Sequence, residues 1–159
     1  MKQQPETKAV MMKTQHLFDL TLELGQMVSL GPVAAGERRV AGIAGGVLAG
    51  ETLRGELLSG SDTQLMRADG VLEIDAAYVV RLEHGELLRI VNQGYRHGPA
   101  EVLARLARGE AVDPSDYFFR TVMRFETAAP ALAWLNGAIA VANAERQGGK
   151  VIMHAWQVL

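Results

Sequence analysis

Cysteine is absent from the 159 residues, which excludes disulfides, thiol nucleophiles and thiolate metal sites. Neither sign of charge is in excess: 16 Lys and Arg stand against 18 Asp and Glu, a net charge of -2. Nucleic acid is therefore not an expected partner, because binding a phosphate backbone needs a basic surface. Long apolar runs are missing as well. No window reaches the roughly 18 residues of a bilayer-spanning helix, so no membrane partner is expected either. Met1 to Lys13 mixes Lys2, Glu6 and Lys8 with Gln and Pro5 and lacks the apolar centre of an export signal. Residues 1–13 are expected to form a flexible leader and residues 14–159 a single domain, with the cytoplasm as default location.

Recognisable cofactor motifs are equally scarce. His16, His84, His97 and His154 lack the close pairing and helical spacing of a zinc enzyme, so no metal is expected. Gly45, Gly46 and Gly50 surround Val47-Leu48-Ala49 but lead into no opening helix. Turns and bulges explain them better than a nucleotide loop. Gly60-Ser61-Asp62 lacks the strand-to-helix setting of a nucleophile elbow and reads as a turn. No cofactor is expected.

The dominant pattern is alternation with a period of two, which places successive side chains on opposite faces of a strand. Phe18, Leu20 and Leu22 alternate with Asp19, Thr21 and Glu23, and Gly25 can end that strand. Arg38 to Ile43 is a shorter candidate, with Arg38 and Arg39 on opposite faces. From Val71 to Leu82 the positions Leu72, Ile74, Ala76, Tyr78, Val80 and Leu82 form an inner face, and Leu87 to Asn92 follows after a short turn. Ala100 to Arg108 is the one persuasive helix, stopped by Gly109. Ala131 to Ala144 fits strand or helix, and Val151 to Val158 has the β-branched and aromatic content of a closing strand. The expectation is a mainly β protein: a single antiparallel barrel of roughly eight strands with one short helix.

The densest aromatic stretch is Tyr117 to Glu126. As a strand it puts Tyr117, Phe119, Thr121, Met123 and Phe125 on one face and Arg120, Arg124 and Glu126 on the other. Facing a cavity, those charges make a preorganised polar site. Facing water, they make the solvated side of an antiparallel sheet.

An ordered set of motifs runs through the chain: Gly31-Pro32, Gly36 with Arg38, Gly45-Gly46, Gly50, Gly60 with Asp62, Asp69-Gly70, Tyr117-Phe118-Phe119-Arg120, Arg124-Phe125-Glu126 and Trp134-Leu135-Asn136. The set resembles the DUF3237 family over about His16 to Leu159. The resemblance implies a small closed β-barrel of the allene oxide cyclase kind, in a family whose members largely lack an assigned reaction. It departs at Ser59-Gly60-Ser61-Asp62-Thr63, where the family commonly shows Gly-Gly-x-Asp-Trp.

Arg38, Arg120 and Arg124 are the candidate anchors for a carbonyl-bearing or anionic ligand, with Trp134 and Asn136 beside them. Asp62, Glu126, Tyr78 and Tyr117 are the candidate acid-base groups. Trp134 also fits the core, and Asn136 also fits a strand end. Two functions stay open: a cofactor-independent isomerase, cyclase or lyase, and a non-catalytic small-molecule carrier. An oligomeric structural role, with apolar edges joining copies, is compatible with either.

Overall fold

The computed structural model describes residues 9–159. Most of the expected leader, residues 1–8, lies outside the described residues, and residues 9–13 are exposed and carry no secondary structure. Eight strands follow in chain order: β1 (Thr14–Val33), β2 (Gly36–Ala49), β3 (Arg54–Met66), β4 (Leu72–Leu82), β5 (Leu87–His97), β6 (Phe118–Glu126), β7 (Ile139–Gln147) and β8 (Lys150–Val158). Each pairs antiparallel with the next, and β8 returns to β1 through His154 opposite Asp19 and Met153 opposite Leu20, which closes the barrel. Closure leaves few unpaired edges.

Alternation produces this architecture. In β4 every second residue from Leu72 to Leu82 is buried, and in β6 Phe119, Thr121, Met123 and Phe125 are buried while Phe118, Arg120, Val122, Arg124 and Glu126 face out. A barrel of eight strands is just wide enough for side chains to fill. One end is filled by apolar groups, including Phe18, Leu20, Leu48, Val80, Leu88 and Leu135. At this end lie the turns that join β2 to β3, β4 to β5 and β6 to β7. The β1–β2, β3–β4 and β7–β8 turns lie at the other end, with the long β5–β6 connection.

That connection carries helix α1 (Ala100–Ala107), whose Val102 and Leu106 join the barrel core together with Val112 and Tyr117. Its C-terminus closes with paired bonds from Gly109 N–H to Leu106 O at 3.0 Å and from Glu110 N–H to Arg105 O at 3.1 Å. The first satisfies the Leu106 carbonyl, and the second joins the Arg108 N–H on the Arg105 carbonyl. Among the described residues no helix is long and apolar enough to cross a membrane.

Several boundaries differ from the sequence reading. β1 runs through Gly25 to Val33, because β2 continues to pair with it across register shifts between Glu23 and Leu24 and between Leu24 and Met27. Such bulges let a strand bend without ending. β2 likewise absorbs Gly45 and Gly46. Gly60-Ser61-Asp62 is not a turn but the middle of β3, where Tyr78 lies so close that a Cβ on Gly60 would sit 2.9 Å from its ring. β5 extends past Asn92 to His97. The undecided Ala131 to Ala144 stretch divides into a 3-10 helix, Pro130–Gly137, and β7.

Candidate functional site

Above the apolar end, the barrel interior turns polar. A cavity of about 20 Å³ lies there, lined by Asp62, Gln64, Asn92, Arg96 and Arg146 among apolar walls that include Ile43, Phe119 and Met153. That volume admits a water molecule and little more, against the roughly 300 Å³ or more of a typical ligand pocket. Anything larger must displace side chains, and two of the lining groups, Arg96 and Arg146, are long arginines.

The strands bring these residues together by parity. On β3, Asp62 and Gln64 point inward, and Gln64 Nε2 donates to Asp62 Oδ2 at 2.8 Å. The Asp75 amide of β4 donates to Asp62 Oδ1 at 3.3 Å. On β5, Asn92 and Arg96 follow Leu88 and Ile90 on the same face. Asn92 Nδ2 donates to the Tyr78 hydroxyl at 3.4 Å and to Met153 Sδ at 3.2 Å. On β7, Arg146 follows Ala140, Ala142 and Ala144 inward, and its backbone N–H donates to the Tyr117 hydroxyl at 2.9 Å. The phenol proton of Tyr117 is thereby left free to donate elsewhere.

Electrostatics set this region apart. Burial, then the neighbouring Arg146 and Arg39 guanidiniums, pull Arg96 down to about 10. Like charges crowded in a poorly solvated space disfavour the charged form. None of the ion pairs among the described residues involves Arg39, Arg96 or Arg146. Arg39 Nε, Arg96 Nε, Asn92 Oδ1 and Thr121 Oγ1 are all buried without a hydrogen-bond partner in the protein. Native proteins leave few such groups, and two of these four residues, Asn92 and Arg96, line the cavity.

Burial raises the Asp62 carboxyl above the usual aspartate range, against the opposing hydrogen bonds from Gln64 and the Asp75 amide. The native state therefore holds this proton to higher pH than the unfolded chain does. Asp62 contributes stability fully below the ordinary aspartate pKa of about 3.9, and that contribution is lost as pH rises through the folded value. Urea unfolding across a pH series should show this falling component in the wild type and its loss in Asp62→Asn. An unchanged slope in the variant would assign the pH dependence to other groups.

Of the residues singled out from sequence, Asp62, Tyr78 and Tyr117 lie in this polar region. Burial raises the Tyr78 hydroxyl well above the ordinary tyrosine range. The others lie elsewhere. Arg38 is on the outer wall, beside Glu73 and Asp75, because Arg39 takes the inward parity of β2 with Ala41. Arg120, Arg124 and Glu126 also face outward, since the apolar row of β6 fills the core. Arg120 lies over the Phe118 ring at 5.5 Å and donates to Phe119 O at 2.9 Å. It borders an outer groove of about 400 Å³ lined by Tyr95, Val122, Val141 and Trp156.

Trp134 is 45% exposed and belongs to neither core nor cavity. Asn136 is structural: it accepts from the Thr127 N–H at 2.8 Å and donates to the Thr127 carbonyl at 3.0 Å, fastening the 3-10 helix to the end of β6. Asn136→Ala should cost about 1–3 kcal/mol in urea unfolding, because it strands both backbone groups.

Gln64, Asn92, Arg39, Arg96 and Arg146 were missed from sequence. The signal for Arg96 and Arg146 was the continued alternation of β5 past Gly94 and of β7 past Ala144. On the outer wall, His16 Nε2 and His154 Nδ1 both meet Asp19 Oδ1 at 2.8 Å. Those bonds hold Asp19 below the usual range despite the opposing effect of its partial burial. Among the described residues no group of three or more His, Asp or Glu is arranged to hold a metal.

The family model for DUF3237, a protein family of unknown function, matches residues 12–158. The chain belongs to the DUF3237 family. A UPF0311 protein of Rhodopseudomonas palustris is 37% identical over 149 residues, covering 93% of this chain and 97% of the relative. The crystal structure of a conserved protein of unknown function from that organism superposes with a TM-score of 0.89 at 36% identity, over 96% of this chain and 100% of the other. A β-barrel-like protein from Acinetobacter baumannii has a TM-score of 0.84 at 36% identity, over 97% and 100% of the two chains. An enzyme from Penicillium herquei shares the DUF3237 barrel's fold, with a TM-score of 0.73 over 96% of this chain and 98% of its own, at 18% identity.

Proposed function

We propose that this DUF3237 barrel binds a small carbonyl-bearing or anionic molecule in its polar interior and transforms it without a cofactor, by isomerisation, cyclisation or elimination. The observation that carries the reading is the buried Asp62, beside Arg96 and its neighbours Arg39 and Arg146, next to polar atoms that lack partners. In this reading the guanidiniums hold developing negative charge on the ligand. Asp62, raised by burial toward the range useful for proton transfer, exchanges the proton. Tyr117 donates its free hydroxyl proton to the same ligand. Apolar walls around the site limit water once the ligand is seated.

A second reading, the non-catalytic carrier, is favoured by one feature: both Asp62 oxygens already accept hydrogen bonds in the resting barrel. The two readings part in a single experiment. A panel of enones, epoxides, lactones and small organic acids is screened by thermal shift, and each stabilising compound is followed by mass spectrometry. Turnover that is lost in Asp62→Asn supports the enzyme, whereas binding without turnover supports the carrier. Binding that survives in both Asn92→Leu and Arg96→Met would place the ligand outside the barrel and end both readings.

A further inference from the structure

The interior is not merely polar but unbalanced in charge. Arg39, Arg96 and Arg146 contribute +3 and Asp62 at most -1, so the region carries at least +2. Four further acids on the surrounding strands have partners of their own: Glu37, two residues before Arg39 on β2, accepts from the Ser29 hydroxyl at 3.4 Å. Asp75 accepts from Gln93 on the outer wall, Glu73 pairs with Arg67, and Glu145 accepts from Gln147. Arg96 is the most enclosed of the three, whereas Arg39 and Arg146 are half-buried and Arg146 Nε donates to the Gly148 carbonyl at 3.1 Å. That neutral acceptor leaves the charge uncompensated, and cations withdrawn from water are normally paired. A single carboxylate would leave one positive charge unanswered.

Resting on the interior-binding reading above, we propose that the ligand is a small organic dianion, carrying two carboxylates or one phosphoryl group on an apolar body. Its two charges bring the region to neutrality. Arg39, Arg96 and Arg146 hold the charged groups, with donors in fixed planar forks suited to carboxylate and phosphoryl oxygens. The Tyr117 hydroxyl, whose oxygen is already occupied by the Arg146 N–H, supplies a further donor. The body of the ligand packs against Ile43, Phe119 and Met153. Asn92 Oδ1 and Thr121 Oγ1, buried and unpartnered, accept from any hydroxyl the ligand carries or from a bridging water.

The test is calorimetric titration with a matched series: isophthalate, its monomethyl ester and its dimethyl ester, and the corresponding glutarate series, with phenyl phosphate to separate phosphoryl from dicarboxylate recognition. The expected order is dianion over monoanion over neutral ester, with each removed charge weakening binding by about tenfold at low salt. Tighter binding by phenyl phosphate or by the dicarboxylates tells which source of the two charges the site prefers. In Arg146→Met and Arg39→Met the advantage of dianion over monoanion should collapse, while Arg120→Met, on the outer wall, should leave it intact. Equal affinity for dianion and monoanion overturns the proposal, as does an advantage that persists in both interior variants. Tightest binding by the neutral diester overturns it but leaves the interior-binding reading standing. Failure of every dianion at millimolar concentration overturns it too, and the broader screen then decides separately whether the interior binds anything.

Discussion

Gly94→Ala should destabilise the barrel by about 3 kcal/mol or more, the largest loss expected from adding a single methyl group to this chain. Gly94 lies on the inward face of β5, opposite Thr121 of β6. A Cβ there would sit 2.1 Å from the Arg120 carbonyl oxygen and 2.6 Å from the Thr121 Cα. Both obstacles are backbone, so no side-chain rotation relieves the clash and the two strands must separate. Separation would break the β5–β6 pairing between Asn92 and Arg96, the segment that aims Arg96 into the cavity. Urea unfolding measures the loss directly, and loss of barrel ligand binding at permissive temperature would accompany it. A variant of near wild-type stability would show that the strands can move apart without penalty.

Arg96→Met should do the opposite to stability while removing binding. In the free protein, Arg96 is mostly buried beside two guanidiniums, without a paired carboxylate. Removing an uncompensated buried cation and keeping most of its apolar stem should raise unfolding free energy by about 1 kcal/mol or more. Anion affinity should fall by about 10- to 100-fold, since a hydrogen bond to a charged group is worth about 1.5–3 kcal/mol. Opposite signs for stability and binding mark a group retained for function at the expense of stability. A fall in stability of several kcal/mol would instead make Arg96 structural, through its contact with the Phe119 ring at 5.9 Å. Asp62, deprived of that neighbour, would be driven further toward its neutral form.

Much of the fold was legible because burial in a barrel imposes strict alternation. The β4 positions Leu72 to Leu82 and the β6 positions Phe119 to Phe125 fall on the inner wall where the pattern puts them. The same rule excludes Arg120, Arg124 and Glu126 from the interior: once the apolar row of β6 fills the core, the charged row has only the outside left. Strand ends were less legible. Glycine at 25, 45, 46, 60 and 94 reads locally as a break, whereas here a neighbouring strand continues the pairing across it. A β5 read only to Asn92 and a β7 read only to Ala144 hide the inward positions Arg96 and Arg146, four and two residues further on.

By itself the sequence determined the antiparallel barrel class, the inward rows of β4 and β6 and the single α-helix. Those follow from local periodicity and from turns too short for anything but antiparallel neighbours. Only the tertiary structure decided that Arg39, rather than Arg38, lies inward as a neighbour of Arg96, which lines one cavity with Arg146. These side chains come from β2, β5 and β7, and their meeting depends on the register of every intervening strand and on the closure of β8 onto β1. A shift of one residue in any of those registers would turn a guanidinium to the opposite face. No local pattern carries that information, because it is a property of the closed sheet as a whole.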